Sequence, residues 1–137
     1  MDAIGFASSL ISLVQLTYDI VLYLKDVKDA PQDRLAIYSE LTSLQNLLVI
    51  LKNRVEQSQA GDPWLDSVRA LGIAGGPLER FRGDLELLAS KLQKVDGMKK
   101  VRQMLTWKFT KEEVMSILVG IERTKSYISL ALQNDHL

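Results

Sequence analysis

The sequence predicts an all-α fold: a single bundle of five to six helices with a hydrophobic N-terminal helix near its centre. Three observations predict it. Apolar residues recur at spacings of three and four along most of the chain, the period of a helix with a buried face. The runs are set off by capping chemistry, glycine and proline. No stretch alternates apolar and polar residues over a useful length, and no hairpin dipeptide separates β-branched runs. The 137 residues make one domain, long enough to hide roughly two-thirds of its unfolded surface.

The first helix is expected from about Asp2 to Lys28. Asp2 suits its positive end, Lys25 and Lys28 its negative end. From Ala3 to Leu24 the chain is almost wholly apolar. Ser8, Ser12, Gln15, Asp19 and Asp26 fall on one narrow stripe, and the rest of the girth is Ile, Leu, Val, Phe, Ala and Tyr. Such a helix has to be surrounded by other helices or by lipid. As a permanent membrane span it is short, because its uncharged part ends at Tyr18 and a straight span needs ~20 residues. Asp19 at membrane depth would cost ~2.5–3.5 kcal/mol. Position 2 is Asp and no basic n-region precedes the apolar run, so a secretory signal does not fit. The resting expectation is a core helix whose small residues Gly5, Ala7, Ser8, Ser9 and Ser12 allow close packing on helix 2.

Asp29-Ala30-Pro31-Gln32 reads as a break and a restart, with Asp29 and Gln32 spaced as a capping box and Pro31 in the first turn. Helix 2 then runs to about Ser58. Its seam is Ile37, Leu41, Leu44, Leu48, Leu51 and Val55, spaced four, three, four, three, four, as in bundle packing. Leu47, Val49 and Ile50 widen it toward a second neighbour. Asp62 caps a short third helix opened by Pro63, with Trp64, Leu65, Val68 and Leu71 facing inward. Ala74-Gly75-Gly76-Pro77 is the clearest turn. Helix 4 follows to about Asp96-Gly97 on Leu78, Phe81, Leu85, Leu88 and Leu92. Met98 to Phe109 suggests a short helix through Val101, Met104 and Leu105. Thr110 and Glu113 form a capping box for a last helix from about Lys111 to Gln133. Its stripe is Val114, Leu118, Ile121, Ile128 and Leu132, with Lys125 standing in the seam.

The 17 basic and 17 acidic side chains balance, so no global field steers the chain to nucleic acid or membrane. Their distribution is uneven. Residues 1–90 carry 8 basic against 12 acidic groups, whereas residues 91–111 carry 7 basic groups against Asp96 alone. There is no cysteine, which excludes disulfides, thiolate nucleophiles and Cys-based zinc sites. The single histidine, His136, can build neither a triad nor a multi-His metal site within one chain. The Gly72–Gly76 stretch has no following Lys-Ser/Thr and is a turn, not a phosphate loop. Glu112 and Glu113 are explained by the helix dipole. An enzyme is not expected, nor is any cofactor or metal.

The basic stretch is the second feature of interest. Lys99, Lys100, Arg102, Lys108 and Lys111 surround Trp107 and Phe109. Such a mixture can be a solvated helix whose aromatics plug the bundle end. It can also meet anionic lipid, at ~1 kcal/mol per charge near the surface, or another protein. Nucleic acid is the least favoured partner.

With these residues laid out, the chain resembles the fungal HeLo-like N-terminal domains of NACHT and other STAND-type immune-receptor-like proteins. The resemblance rests on the Met-Asp start, Ile4-Gly5, Leu13-Val14-Gln15-Leu16-Thr17 and the distinctive Lys25-Asp26-Val27-Lys28-Asp29-Ala30-Pro31. Further along it includes Asp62-Pro63-Trp64-Leu65, Gly76-Pro77-Leu78-Glu79, Lys111 to Val114, and Ile121-Glu122-Arg123 through Ala131-Leu132. It therefore covers essentially the whole chain. Lys108 departs from the proline expected between the two aromatics.

What the resemblance implies is a cytoplasmic helical domain, residues 1–137, forming the N-terminal module of a longer chain. It implies a regulated cell-death effector of the heterokaryon-incompatibility or innate-immunity type. On clustering, such a domain would expose its N-terminal helix and permeabilise the plasma membrane. The membrane-active face would be Ile4, Phe6, Leu10, Leu13, Val14, Leu16 and Val21. Lys99, Lys100, Arg102, Trp107, Lys108 and Lys111 would meet anionic lipid or a partner. Self-association on activation and a NACHT/STAND or amyloid-signalling partner are also implied. The alternative is a non-lytic oligomerisation or adaptor module of a STAND receptor.

Overall fold

The structure, a computed structural model, describes residues 3–25, 31–96 and 109–133. They form an all-α bundle of five α-helices: α1 (Ala3–Lys25), α2 (Pro31–Gln57), α3 (Pro63–Val68), α4 (Pro77–Asp96) and α5 (Lys111–Gln133). A short 3-10 turn, Arg69–Gly72, continues α3. The sequence reading did not separate that turn from α3. Lys25 stands in the last turn of α1, whereas Asp2, Asp26, Lys28, Asp29 and the stretch from Gly97 to Lys108 lie outside the described residues, and with them the expected Asp2 cap, the capping box before α2 and the short basic helix.

The core is built on α2. Its seam of Ile37, Leu41, Leu44, Leu48, Leu51 and Val55 is buried throughout, and it packs against both α1 and α5. The helix directions follow from side-chain contacts. Arg34 near the start of α2 reaches the Leu24 carbonyl near the end of α1, so the two are antiparallel. Early in α2, Glu40 meets Lys125, and later Arg54 meets the carbonyl of Leu132, so α2 and α5 run in the same direction. On α4, Asp84 lies against Gly120 and Lys91 pairs with Glu113, so α4 runs antiparallel to α5.

The expected central position of α1 holds for one face only. Phe6, Leu10, Leu13, Thr17, Ile20 and Leu24 are buried, at spacings of four, three, four, three, four, which lay one apolar stripe into the bundle. Thr17 fits because its hydroxyl donates to the Leu13 carbonyl at 2.7 Å, so its own donor is satisfied.

Local chemistry fixes the remaining elements. Asp62 accepts from the Trp64 backbone N–H at 2.9 Å and caps α3 behind Pro63. The Trp64 indole donates to the Ala131 carbonyl at 2.8 Å, and the Arg54 guanidinium lies 4.0 Å from its ring centroid. In this way α3 plugs the end shared by α2 and α5. Gly75 takes φ +76 in the turn before α4, a conformation side chains disfavour. Thr110 and Glu113 bond each other's backbone N–H groups, at 2.8 and 3.1 Å, the reciprocal box that starts α5. Lys91 donates to Glu113 and, with Thr110, holds its carboxyl below the usual range.

At the α4–α5 crossing, a Cβ on Gly120 would stand 2.5 Å from Asp84 Oδ2, so a side chain there would push the Asp84 carboxylate aside. Burial pushes the Asp84 carboxyl above its ordinary 3.8, and the positive charge of Arg123 offsets part of that. The folded chain therefore binds this proton more tightly than the unfolded chain does. The stability it contributes is complete below pH 3.8 and is lost as pH rises through the folded value. Asp84→Asn is accordingly expected to be more stable than the parent at neutral pH, with the gap closing in acid. Urea midpoints across the acid range read this out, and a gap that widens in acid would contradict it.

Candidate functional site

The feature with functional content is α1 and its cradle. Among the described residues, Gly5–Lys25 is the one helix long and apolar enough to cross a membrane, and 33% of that span is buried. Core helices of soluble proteins pass the same test of length and composition, but they are mostly enclosed. Here the second face is open. Ser8, Ser12, Gln15 and Asp19 are exposed, as the polar stripe predicted. Beside them stand Ile11 at 48%, Tyr18 at 47% and Leu22 at 41% exposure.

That arrangement redistributes the residues expected to act in a membrane. Phe6, Leu10, Leu13 and Val21 are buried in the core. Val14 and Leu16 are half-buried and packed against it. Ile4 belongs to α1, but its side chain is outside the described part. The apolar side chains actually open to solvent are Ile11, Tyr18 and Leu22, which the sequence reading did not single out. Their spacing of seven and four would have placed them on one face.

Two arginines hold α1 from neighbouring helices. Arg34 of α2 donates through Nη1 to the Leu24 carbonyl at 3.2 Å, satisfying one of the open carbonyls at a helix end. Its Nε is buried without a hydrogen-bond partner. Arg82 of α4 donates to Ser12 Oγ at 3.0 Å and reaches the Ser9 carbonyl at 3.5 Å. The ties among the other helices do not involve α1: Lys125 with Glu40 joins α2 to α5, and Lys91 with Glu113 joins α4 to α5. Arg82→Ala is expected to speed amide exchange in the first half of α1, and Arg34→Ala in its last turn. Exchange in α5 should be unchanged, and faster exchange everywhere would mean these arginines are not local clamps.

Of the basic and aromatic candidates, Lys111 is exposed at the first turn of α5. Lys99, Lys100, Arg102, Trp107 and Lys108 lie outside the described residues. Phe109 is half-buried, with Lys91 Nζ 5.0 Å from its ring centroid. No group of three or more His, Cys, Asp or Glu residues able to hold a metal occurs among the described residues. The concavity at the α2–α3 turn is lined by Arg54, Gln57, Ser58, Gln59, Ala60, Gly61 and Asp62. It offers no nucleophile–base pair, since Asp62 caps α3 and Arg54 stacks on Trp64.

Comparison with known proteins gives no match: no family model, curated protein or solved structure aligns with the chain.

Proposed function

We propose that the domain is a membrane-permeabilising effector of regulated cell death, of the heterokaryon-incompatibility or innate-immunity type, in which α1 passes from the bundle to the bilayer on clustering. The observation that carries the reading is the two-sided α1: one apolar seam in the core, a second partly apolar face already in water. At 23 residues, a helix rising ~1.5 Å per residue covers ~34 Å, enough for a hydrocarbon core ~30 Å thick. In lipid the α1 seam keeps an apolar environment, while the α2 seam it leaves needs cover from neighbouring copies in the cluster. Ile11, Tyr18 and Leu22 leave water and gain hydrophobic energy. The ties between α2, α4 and α5 can persist while α1 is gone.

The polar stripe also has a place in this scheme. Asp19, hydrogen-bonded by Gln15 at 3.0 Å, is costly against lipid tails. Facing the stripes of neighbouring α1 helices across a wet path, it is not. The resemblance of the opening residues to HeLo-like domains supports the same role, together with a cytoplasmic resting state, movement to the plasma membrane and a NACHT/STAND or amyloid-signalling partner. Anionic lipid attracted by the basic stretch around Lys99, Lys100 and Arg102 would recruit the clustered domain.

The test is dye release from anionic liposomes by residues 1–137 fused to an inducible clustering tag, with flotation of the same samples. Release that appears only on clustering supports the reading. Oligomers that neither float with liposomes nor release dye overturn it and leave the adaptor module.

A further inference from the structure

The described surface carries a second open apolar feature, between α2 and α5. A groove of about 430 Å³ between α2 and α5 is lined by Ala36, Ser39, Glu40, Leu118, Val119 and Glu122. Val119 is 54% exposed on its wall, and Met115, one turn earlier in α5, is 60% exposed. Glu40 and Glu122 share one cation, Lys125, so the rim is net negative. Glu112 and Lys111, three and four residues before Met115, share its face and offset each other, so the rim stays net negative. An apolar floor with an acidic rim fits an amphipathic helix with basic flanks.

The chain itself contains one such segment. Residues 98–108 place Val101, Met104 and Leu105 at i, i+3 and i+4 among Lys99, Lys100, Arg102 and Lys108. The 91–111 stretch carries a net +6, and the rest of the chain a net −6. We infer that the α2–α5 groove of one copy takes the basic stretch 98–108 of a second copy.

Position argues against the same copy filling its own groove. The basic stretch joins the end of α4 to the start of α5. Lys91 over Phe109, and its pair with Glu113, tie both ends to the α4 side of α5. Leu118, Glu122 and Lys125 face α2, whereas Gly120 faces α4. The groove and the anchors that flank the stretch are thus on opposite flanks of α5. A contact between two different surfaces leaves one of each unfilled on every pair, so it adds copies in an open series rather than closing as a dimer. This goes beyond the membrane reading: the basic stretch there assigned to anionic lipid here meets a second copy, in the absence of lipid and with no part for α1.

Sedimentation velocity on the whole chain, without lipid, tests it. The screening length falls from ~30 Å at 0.01 M salt to ~8 Å at 0.15 M, so the association should be strong at low salt and fall at least tenfold by physiological salt. The mass should grow past dimer with concentration. Val119→Lys puts a cation on the exposed groove wall without touching the core and should give a monomer. The triple variant Lys99→Gln, Lys100→Gln, Arg102→Gln should also give a monomer. Mixed one to one, the two variants keep a single intact interface between them and should stop at dimer. A monomeric parent at low salt, which includes the case of a groove filled by its own chain, overturns the inference. So does an association that Val119→Lys leaves unchanged, or a mixture that stays monomeric. Dye release plays no part in these readings, so they succeed or fail separately from the effector function.

Discussion

Ile11→Asp is expected to cut dye release by the clustered domain on the order of 100-fold while leaving the resting fold intact. Ile11 is 48% exposed, and surface changes away from caps and cores usually stay within ~0.5 kcal/mol. The helix loses a little propensity and only the packing of a half-exposed side chain. In the bilayer the position is very different. Ile11 lies close to the middle of α1, where an aspartate costs ~2.5–3.5 kcal/mol on an insertion scale, about two powers of ten in an equilibrium. Leu22→Asp, nearer the helix end and close to the interface, should cost less. A graded loss, large at residue 11 and smaller at 22, is what insertion along the helix axis demands. Equal release from both variants and the parent would show that α1 stays out of the hydrocarbon.

Leu13→Glu, the obvious choice from hydropathy alone, would not separate these effects. Leu13 is 1% exposed in the seam, so a carboxylate there damages the fold before any membrane is met. The exposed face is the one place where α1 can be altered for lipid without being altered for the bundle.

Much of the architecture could be read from the residues. The α2 seam stands out because polar residues separate its leucines cleanly, and each of its six expected positions is buried. The starts of α3 and α5 were legible because Asp62-Pro63 and Thr110 to Glu113 are local devices whose hydrogen bonds close within a few residues. The orientation of α1 was not legible in the same way. Ile11, Tyr18 and Leu22 fill with apolar groups a face that solvent touches, and Thr17 puts a hydroxyl in the buried seam. Both blur the period of three and four on which such a reading depends. On α5, the expected stripe found Val114, Ile121 and Ile128. It passed over Gly120 and Thr124, because a glycine and a self-bonded threonine carry no apolar signal although α4 presses against that face, and it took Leu118, which is half-buried, in place of the buried Ile117. The arginine clamps were out of reach for a further reason. Arg34 and Arg82 act on carbonyl or hydroxyl groups of α1 brought near by folding, ten and about seventy residues away, and no local pattern encodes such a pairing.

The opposite face of α1 should give the opposite result. Leu13→Ala removes a fully enclosed side chain between α1 and its neighbours, and truncations of this kind cost ~2–5 kcal/mol. That is a large fraction of the ~5–15 kcal/mol that holds a typical domain together. The loss falls on the bundle and much less on the bilayer state, because alanine keeps the helix apolar and favours helical backbone. The equilibrium between docked and departed α1 should therefore move toward departure. Leu13→Ala is expected to melt earlier and to release dye at a lower degree of clustering than the parent, whereas Ile11→Asp keeps its melting point and loses release. A docking module that never gives up α1 predicts otherwise: Leu13→Ala would lose stability with no leakage at any clustering, and Ile11→Asp would change neither. Two substitutions two residues apart, on opposite faces of one helix, thus pull membrane activity in opposite directions only if the seam and the open face belong to the two states of a single switching element.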